Sequence, residues 1–473
     1  MNGLPLQLFR ARSFLFKRKP RFILYVLMGT LPVSAQVQTL SQVLDRSVKQ
    51  FPFLKSKQSE MESAQQRKSA ALTERLPILT VQHQYNYATN NSITGSVFNT
   101  EGTNVAISGG VRPENNYEGV FGSFTTAVAE WRLINFGRVK ASIRAADAEV
   151  TRAQEDYQNE IFQHQIRVSD AYLALLINQK LVDIQRRNLD RALTFKQIVD
   201  AGVRSGMRPG VDSSLATAEA SRARILLLES QQREQVQRLQ LSELTGLVED
   251  HLQIDSLRFY TSLPASPSAS DSLFLNHPAL RFQRSQVDWA TARSIATHRS
   301  LWPTISLVGA GWARGSGVQN NGDVYRTDVS NGIKYQVGNY LFGVSARWNL
   351  TNALRIKREY RSDVAQTERF QHLYQEQNNR LQRLTRESET QFNVAMEQAR
   401  QAPVQLQAAR QAYHQAQARY KNGLADLPTV LQSFLTLNRA EVDAYVANSN
   451  AWRSLLRIAA AEGDLSLFLN QVK

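Results

Sequence analysis

The chain has 473 residues, a formal charge of +15 and no cysteine. The lack of cysteine excludes disulfides, a thiolate nucleophile, cysteine-held metals and a lipid-modified N-terminal cysteine. Lys and Arg are scattered among Gln and Glu along helix-like segments, a pattern of solvated helix faces and not of a nucleic-acid surface.

Arg10, Arg12, Lys17, Arg18, Lys19 and Arg21 precede any acidic residue, the first being Asp45. An apolar run over residues 22–33 follows, and then Val33-Ser34-Ala35. This order predicts a signal peptide over residues 1–35, cleaved after Ala35. The run is too short for a spanning helix, which needs about 20 apolar residues. Taking the six basic residues of the leader from +15 leaves +9 for the mature chain. No later segment is apolar enough for a transmembrane helix, so a mature chain that spans a membrane must do so as a closed β-barrel. Composition leaves a periplasmic protein equally open.

The mature chain reads as two copies of one pattern, residues 36–250 and 272–463, joined by a connector over 251–271 and followed by a tail over 464–473. Pro52 and Pro77 recur as Pro278 and Pro303 at an offset of 226, whereas Trp131, Gly206 and Gly246 recur as Trp348, Gly423 and Gly463 at 217. One nine-residue deletion in a surface loop reconciles the offsets.

Each copy opens with a helix, residues 40–75 and 272–301, ended by the second proline. A strand follows, in which Leu79, Val81, His83, Tyr85 and Tyr87 alternate with polar residues. Stretches rich in Gly, Asn, Ser and Thr, residues 90–119 and 314–338, predict long flexible loops. Return strands end near Trp131 and Trp348. Alternation in Phe342, Val344, Ala346, Trp348 and Leu350 suits lipid on one face and water on the other, and it suits a soluble sandwich as well. The two tryptophans fit an interfacial aromatic girdle.

Long helices are expected over residues 135–203 and 352–420, each about 100 Å at 1.5 Å per residue. Ile161, Val168, Leu175, Val182 and Leu189 repeat every seven residues, as do Phe392, Ala399, Leu406, Tyr413 and Tyr420, a coiled-coil period. Pro403 should kink or break the second helix. Turns over 202–210 and 422–428 then lead into return helices, with Asp212 a plausible helix N-cap. The seven histidines show no zinc spacing, and His164 and His414 read as packing or surface residues. No catalytic, cofactor or metal site is assigned.

The whole mature chain resembles the TolC family of outer-membrane efflux proteins. The resemblance rests on the helix-then-proline openings, the junction Asn135-Phe136-Gly137-Arg138, and the turns around Gly206-Met207 and Gly423-Leu424, each 40 residues before its closing glycine. It implies an α+β membrane protein with two internal structural repeats. Three chains, giving four strands each, would form a 12-stranded β-barrel in outer-membrane lipid, continuous with a coiled-coil tunnel in the periplasm. It also implies a passive, non-enzymatic channel in an efflux or secretion system, joined to a periplasmic adaptor and an inner-membrane pump. The adaptor-contact tips would be Gly206, Met207, Gly423 and Leu424; for the glycines, simply making the turn is the alternative. The periplasmic gate would be a bond from Tyr420 to Asp212. The family's basic latch partner falls at Ala425 and its acidic pair at Thr429 and Gln432, with Asp426 or Arg208 as substitutes. The competing class is a periplasmic coiled-coil scaffold or membrane adaptor, which has no use for four amphipathic strands.

Overall fold

A computed structural model describes residues 39–89, 91, 114–247, 254–255, 257–266, 276–318 and 324–472. The expected signal peptide, its cleavage site and most of the first loop lie outside the described residues.

The opening segment is two helices, α1 (Leu40–Gln50) and α2 (Pro52–Thr73). Phe51 is extended (φ −65°, ψ 120°), as the residue before a proline prefers to be, and Pro52 sits in the first turn of α2. The single helix expected here is therefore broken at Phe51. Strands β1 (Ile78–Ala88) and β2 (Val120–Ile134) follow, then α3 (Arg138–Arg204, 67 residues) and α4 (Gly210–Thr245, 36 residues). A short helix α5 (Leu257–Thr261) lies in the connector. The second half runs α6 (Pro278–Arg299), β3 (Thr304–Ser316), α7 (Val329–Ile333), β4 (Val337–Arg347), α8 (Asn352–Lys421, 70 residues), α9 (Leu427–Glu462, 36 residues) and α10 (Ser466–Val472).

Three sequence expectations change. Residues 314–338 are not simply loop: β3 runs to Ser316, β4 starts at Val337, and α7 lies between, capped by Asp328, whose carboxylate accepts from the Asn331 amide at 3.1 Å. β4 ends at Arg347, so Trp348 and Leu350 lie beyond the strand. Pro403 does not break α8. It removes one backbone donor, a local cost of about 3 kcal/mol, while Ala399 and Ala402 beside it are held against Ala447 and Ala451 of α9.

The four strands form one antiparallel meander, β1-β2-β3-β4, with Ile78 opposite Glu130, Gly122 opposite Ser316 and Thr304 opposite Arg347. The outer strands expose large apolar side chains: Leu79, Val81, Tyr85 and Tyr87 on β1, Tyr340, Phe342 and Val344 on β4. Below the sheet, two indoles make matching bonds. Trp131 Nε1 donates to the Arg75 carbonyl at 3.0 Å and Trp348 Nε1 to the Leu301 carbonyl at 3.2 Å, tying each returning strand to the helix-to-strand corner before it. At the entry to α3, Phe136 (φ 49°) and Gly137 (φ 84°) are left-handed in succession and turn the chain from strand to helix. The Phe136 ring meets Trp302 at 5.8 Å between centroids.

Along α3 and α8 the covering partner changes with height. Near the sheet, α2 lies against α3, with Lys57–Asp156 at 2.6 Å and Arg67–Glu149 at 2.6 Å, and α6 bridges α3 and α8. Farther down, α4 covers α3 and α9 covers α8. Between these levels sits the largest core, where Leu44, Phe162, Tyr172, Leu176, Phe259, Trp452 and Phe468 are buried. Phe259 of α5 and Phe468 of α10 both meet Trp452, with ring centroids 5.1 and 6.4 Å apart. Connector and tail are thus parts of a collar around the middle of the long helices.

His164 is fully buried in this region and stacks on Phe51 at 4.1 Å. Burial pushes its ring down to about 4, Arg167 acts in the same direction, and the Leu244 backbone opposes both. The folded ring stays neutral while an unfolded chain takes up a proton below its ordinary 6.5. Stability present above pH 6.5 is therefore lost as pH falls toward 4. Thermal unfolding in detergent, followed by circular dichroism, should show the melting temperature dropping over that window. His164→Leu should flatten the drop, with His277, also lowered by burial, accounting for part of the remainder. An identical profile in the variant would place the acid sensitivity elsewhere.

Candidate functional site

The end of the molecule far from the sheet is made by the two helix reversals. Each is the same glycine-based C-cap. In the first, Gly206 (φ 72°) follows Ser205, its amide donates to the Val203 carbonyl at 3.0 Å, and the Met207 amide donates to the Gly202 carbonyl at 3.0 Å. In the second, Gly423 (φ 75°) donates to Tyr420 at 3.0 Å and Leu424 to Arg419 at 2.8 Å. This pairing satisfies the last carbonyls of a helix and normally buries the residue after the glycine on the helix. Here those residues are Met207 and Leu424, exposed at 75% and 68%. The apolar contact that usually completes the cap is missing, and both side chains point to solvent at the tips.

The return helices start differently. Asp426 caps α9, its carboxylate accepting from the Thr429 amide at 3.2 Å and from the Thr429 hydroxyl, which holds the Asp426 carboxyl below the usual range. The capping position of α4 is Pro209, so Asp212 is not the N-cap expected from the sequence but lies in the first turn. Its carboxylate is thereby free for another partner. Tyr420 Oη donates to Asp212 Oδ2 at 2.9 Å, and both residues are buried, 2% and 7% exposed. The bond joins the last turn of α8 to the first turn of α4, so it links the two helical hairpins at their tips. Burial, then the hydrogen bond to Asp212, pushes the phenol up to about 12, which keeps its proton in place at neutral pH.

The Tyr420 ring meets Phe195, 5.7 Å away, and the Arg208 guanidinium lies over it, 4.2 Å from the ring centroid. Beneath it, Phe195, Val199, Ala216, Leu427, Val430 and Phe434 form a buried core between the hairpins. Ala216, Ala220 and Ala223 keep α4 close within that core. Arg191 reaches Glu441 through two bonds of 3.1 and 2.7 Å and clasps α3 to α9. Nothing in the sequence spacing singled out Phe195 or this clasp, because each pairs residues more than two hundred positions apart. Thr429 and Gln432 are exposed, and Ala425 is half-buried. Trp131 and Trp348 sit at the other end, at the strand bases, half exposed. His414 is exposed beside Tyr413. Among the described residues no cluster of His, Asp and Glu could hold a metal, and no helix is long and apolar enough to cross a membrane.

The sequence profile described as outer membrane efflux protein matches residues 43–247. No curated protein matches the chain. Several solved structures share the fold. The outer-membrane channel OprN is 18% identical, covering 90% of this chain and 89% of its own with a TM-score of 0.71. The Campylobacter jejuni CmeC outer membrane channel is 15% identical, with coverage of 90% and 85% and a TM-score of 0.74. The Neisseria gonorrhoeae MtrE outer membrane channel, solved in its open state, is 17% identical, with coverage of 90% and 89% and a TM-score of 0.69.

The tip glycines can be tested against the glycine that closes the second half. A Cβ at Gly206 or Gly423 would meet nothing within 4 Å, so Gly→Ala there should cost only the left-handed backbone term, about 1–2 kcal/mol. At Gly463 (φ 80°) the added carbon would lie 2.8 Å from the His277 ring and 3.0 Å from its backbone. Gly463→Ala should therefore lower the unfolding midpoint more than Gly423→Ala. Equal losses would mean that His277 yields freely.

Proposed function

We propose that this chain belongs to the outer membrane efflux proteins and is the passive outer-membrane duct of a tripartite efflux or secretion system. The outer membrane is its location, with the helices forming the periplasmic tunnel. The observation that carries the reading is the combination of a two-edged amphipathic sheet with helices of 67 and 70 residues standing below it.

Four strands cannot close a barrel, and in lipid an open edge leaves backbone groups without partners. Three copies in a 12-stranded barrel would pair β1 of one protomer with β4 of the next. The apolar side chains on those strands would then face acyl chains. A second feature supports self-association: exposed apolar pairs three or four residues apart, Val211/Leu215, Ile225/Leu228 and Val236/Leu239, leave a seam along one face of α4. In a trimer that seam would meet the neighbouring protomer. The recurrence of 22-residue opening helices, 36-residue return helices and matched indole bonds supports a duplicated protomer. A periplasmic scaffold would leave the sheet and its exposed edges unexplained.

Met207 and Leu424 are the proposed contacts for a periplasmic adaptor, which would connect the duct to an inner-membrane pump. The bond from Tyr420 to Asp212 is the proposed latch of the resting state. A neutral donor to a carboxylate contributes roughly 1.5–3 kcal/mol, and threefold symmetry would repeat it around the tunnel mouth. An adaptor that favours splayed hairpins could overcome it.

Two experiments test this reading. Detergent-solubilised protein should be a trimer that conducts ions in planar bilayers, and Tyr420→Phe with Asp212→Ala should raise its conductance while the trimer persists. A monodisperse monomer without conductance would end the duct reading; wild-type conductance in the double variant would end the latch. Independently, Met207→Glu with Leu424→Glu should abolish adaptor-dependent efflux in cells while the trimer still assembles in the outer membrane. Unchanged efflux would confine the two residues to the turns.

A further inference from the structure

We propose that Arg208 is a positioning residue for the latch, holding the Tyr420 side chain in the orientation that reaches Asp212. The inference rests on the latch reading above and adds a component that the sequence left undecided between Arg208 and Asp426.

Asp426 is committed to capping its own helix through Thr429. Arg208 instead crosses from the first turn to the second hairpin. Its Nη2 donates to the Tyr420 carbonyl, which also accepts from the Gly423 amide at 3.0 Å. Its guanidinium lies 4.2 Å from the Tyr420 ring centroid. One side chain therefore fixes both the backbone and the ring face of the residue whose hydroxyl makes the bond. Arginine suits this task because its planar group can stack on a ring and still donate at its edge.

The surrounding turn is shaped to present it. Gly202 lies beneath the arginine stem, where a Cβ would come 2.9 Å from the Arg208 Cγ. Pro209 follows, and the residue before a proline is biased to extended backbone rather than to continued helix. At the 217-residue offset Arg208 corresponds to Ala425 and Asp212 to Thr429. The two turns are therefore unequal: the first supplies the cation and the carboxylate, the second only the tyrosine. All three groups sit in one protomer, so the latch closes between its two hairpins.

The test uses the full-length trimer in planar bilayers. Arg208→Met keeps much of the stem and removes the guanidinium; Arg208→Gln keeps a donor but removes the charge. Each should favour opening by about five-fold, the factor that a cation–π contact of ordinary strength represents. Arg208→Lys should recover part of the closure, which loss of packing alone would not predict. Adding Arg208→Met to Tyr420→Phe should give no further increase, since a positioning residue has nothing left to position. Trimer migration on gels establishes assembly for each variant. If Tyr420→Phe opens the channel but assembled Arg208→Met or Arg208→Gln conducts like wild type, Arg208 has no part in the latch. Full additivity in the double variant would also overturn the assignment. If neither Tyr420→Phe nor its combination with Asp212→Ala changes conductance, the latch reading itself fails and this inference with it.

Discussion

A helix of 67 or 70 residues is stable in water only where one face is covered along its length, because helical propensity alone contributes little net stability. No single partner here is long enough for that. The return helices have 36 residues and the opening helices 22, so a level remains near the middle of α3 and α8 that neither covers. There α1 lies against α3, while α5 and α10 lie against α9. α1, α5 and α10 bring Leu44, Phe259 and Phe468 to that level, where Trp452 and Tyr172 are also buried. The short elements outside the regular pattern are thus required by the length of the regular ones.

The two ends of this framework face different demands. At the sheet, the chain must pass from helix to strand and back without slack, since any slip would turn apolar side chains to the wrong face. The indole bonds from Trp131 and Trp348, and the left-handed pair Phe136-Gly137, hold those corners. This gives the tryptophans a structural task in addition to any role at a membrane boundary. At the tips the helices need only reverse, and glycine caps suffice. Such a cap usually covers itself with the next apolar residue; Met207 and Leu424 stay in solvent instead, as the proposed adaptor contact would require.

Between the tips, the two hairpins are joined by a small number of directed bonds. The half-buried clasp from Arg191 to Glu441 secures α3 to α9 well above the turns. Below it, the hairpins are linked by the alanine-rich core and by Tyr420, Asp212 and Arg208. The proposed gate would need this division: a wall that stays intact, and an end whose attachment is weak enough to release. The buried phenol keeps its proton at neutral pH, so its bond to Asp212 does not depend on its titration.

Much of the architecture could be read from local signals. Pro52, Pro77, Pro278 and Pro303 bracket the opening helices, Gly206, Gly246, Gly423 and Gly463 end the long ones, and a seven-residue period runs between them. These signals work at short range because proline removes a donor and glycine permits left-handed backbone wherever they occur. The pairing of Tyr420 with Asp212 was legible only through family resemblance, and its geometry is a matter of tertiary structure. The collar, α7 and the place of Arg208 were not legible. Asp328 and Asp426 each stand just before a helix, and either could have been read as a cap or as a charged partner. Packing decided between the alternatives: α4 begins at Pro209 without a side-chain cap, which leaves Asp212 unspent, and Gly202 opens the space through which Arg208 reaches a tyrosine 212 residues away. Local residue chemistry determined where helices start and stop, and contacts across the two halves of the chain determined which side chains meet at the tip.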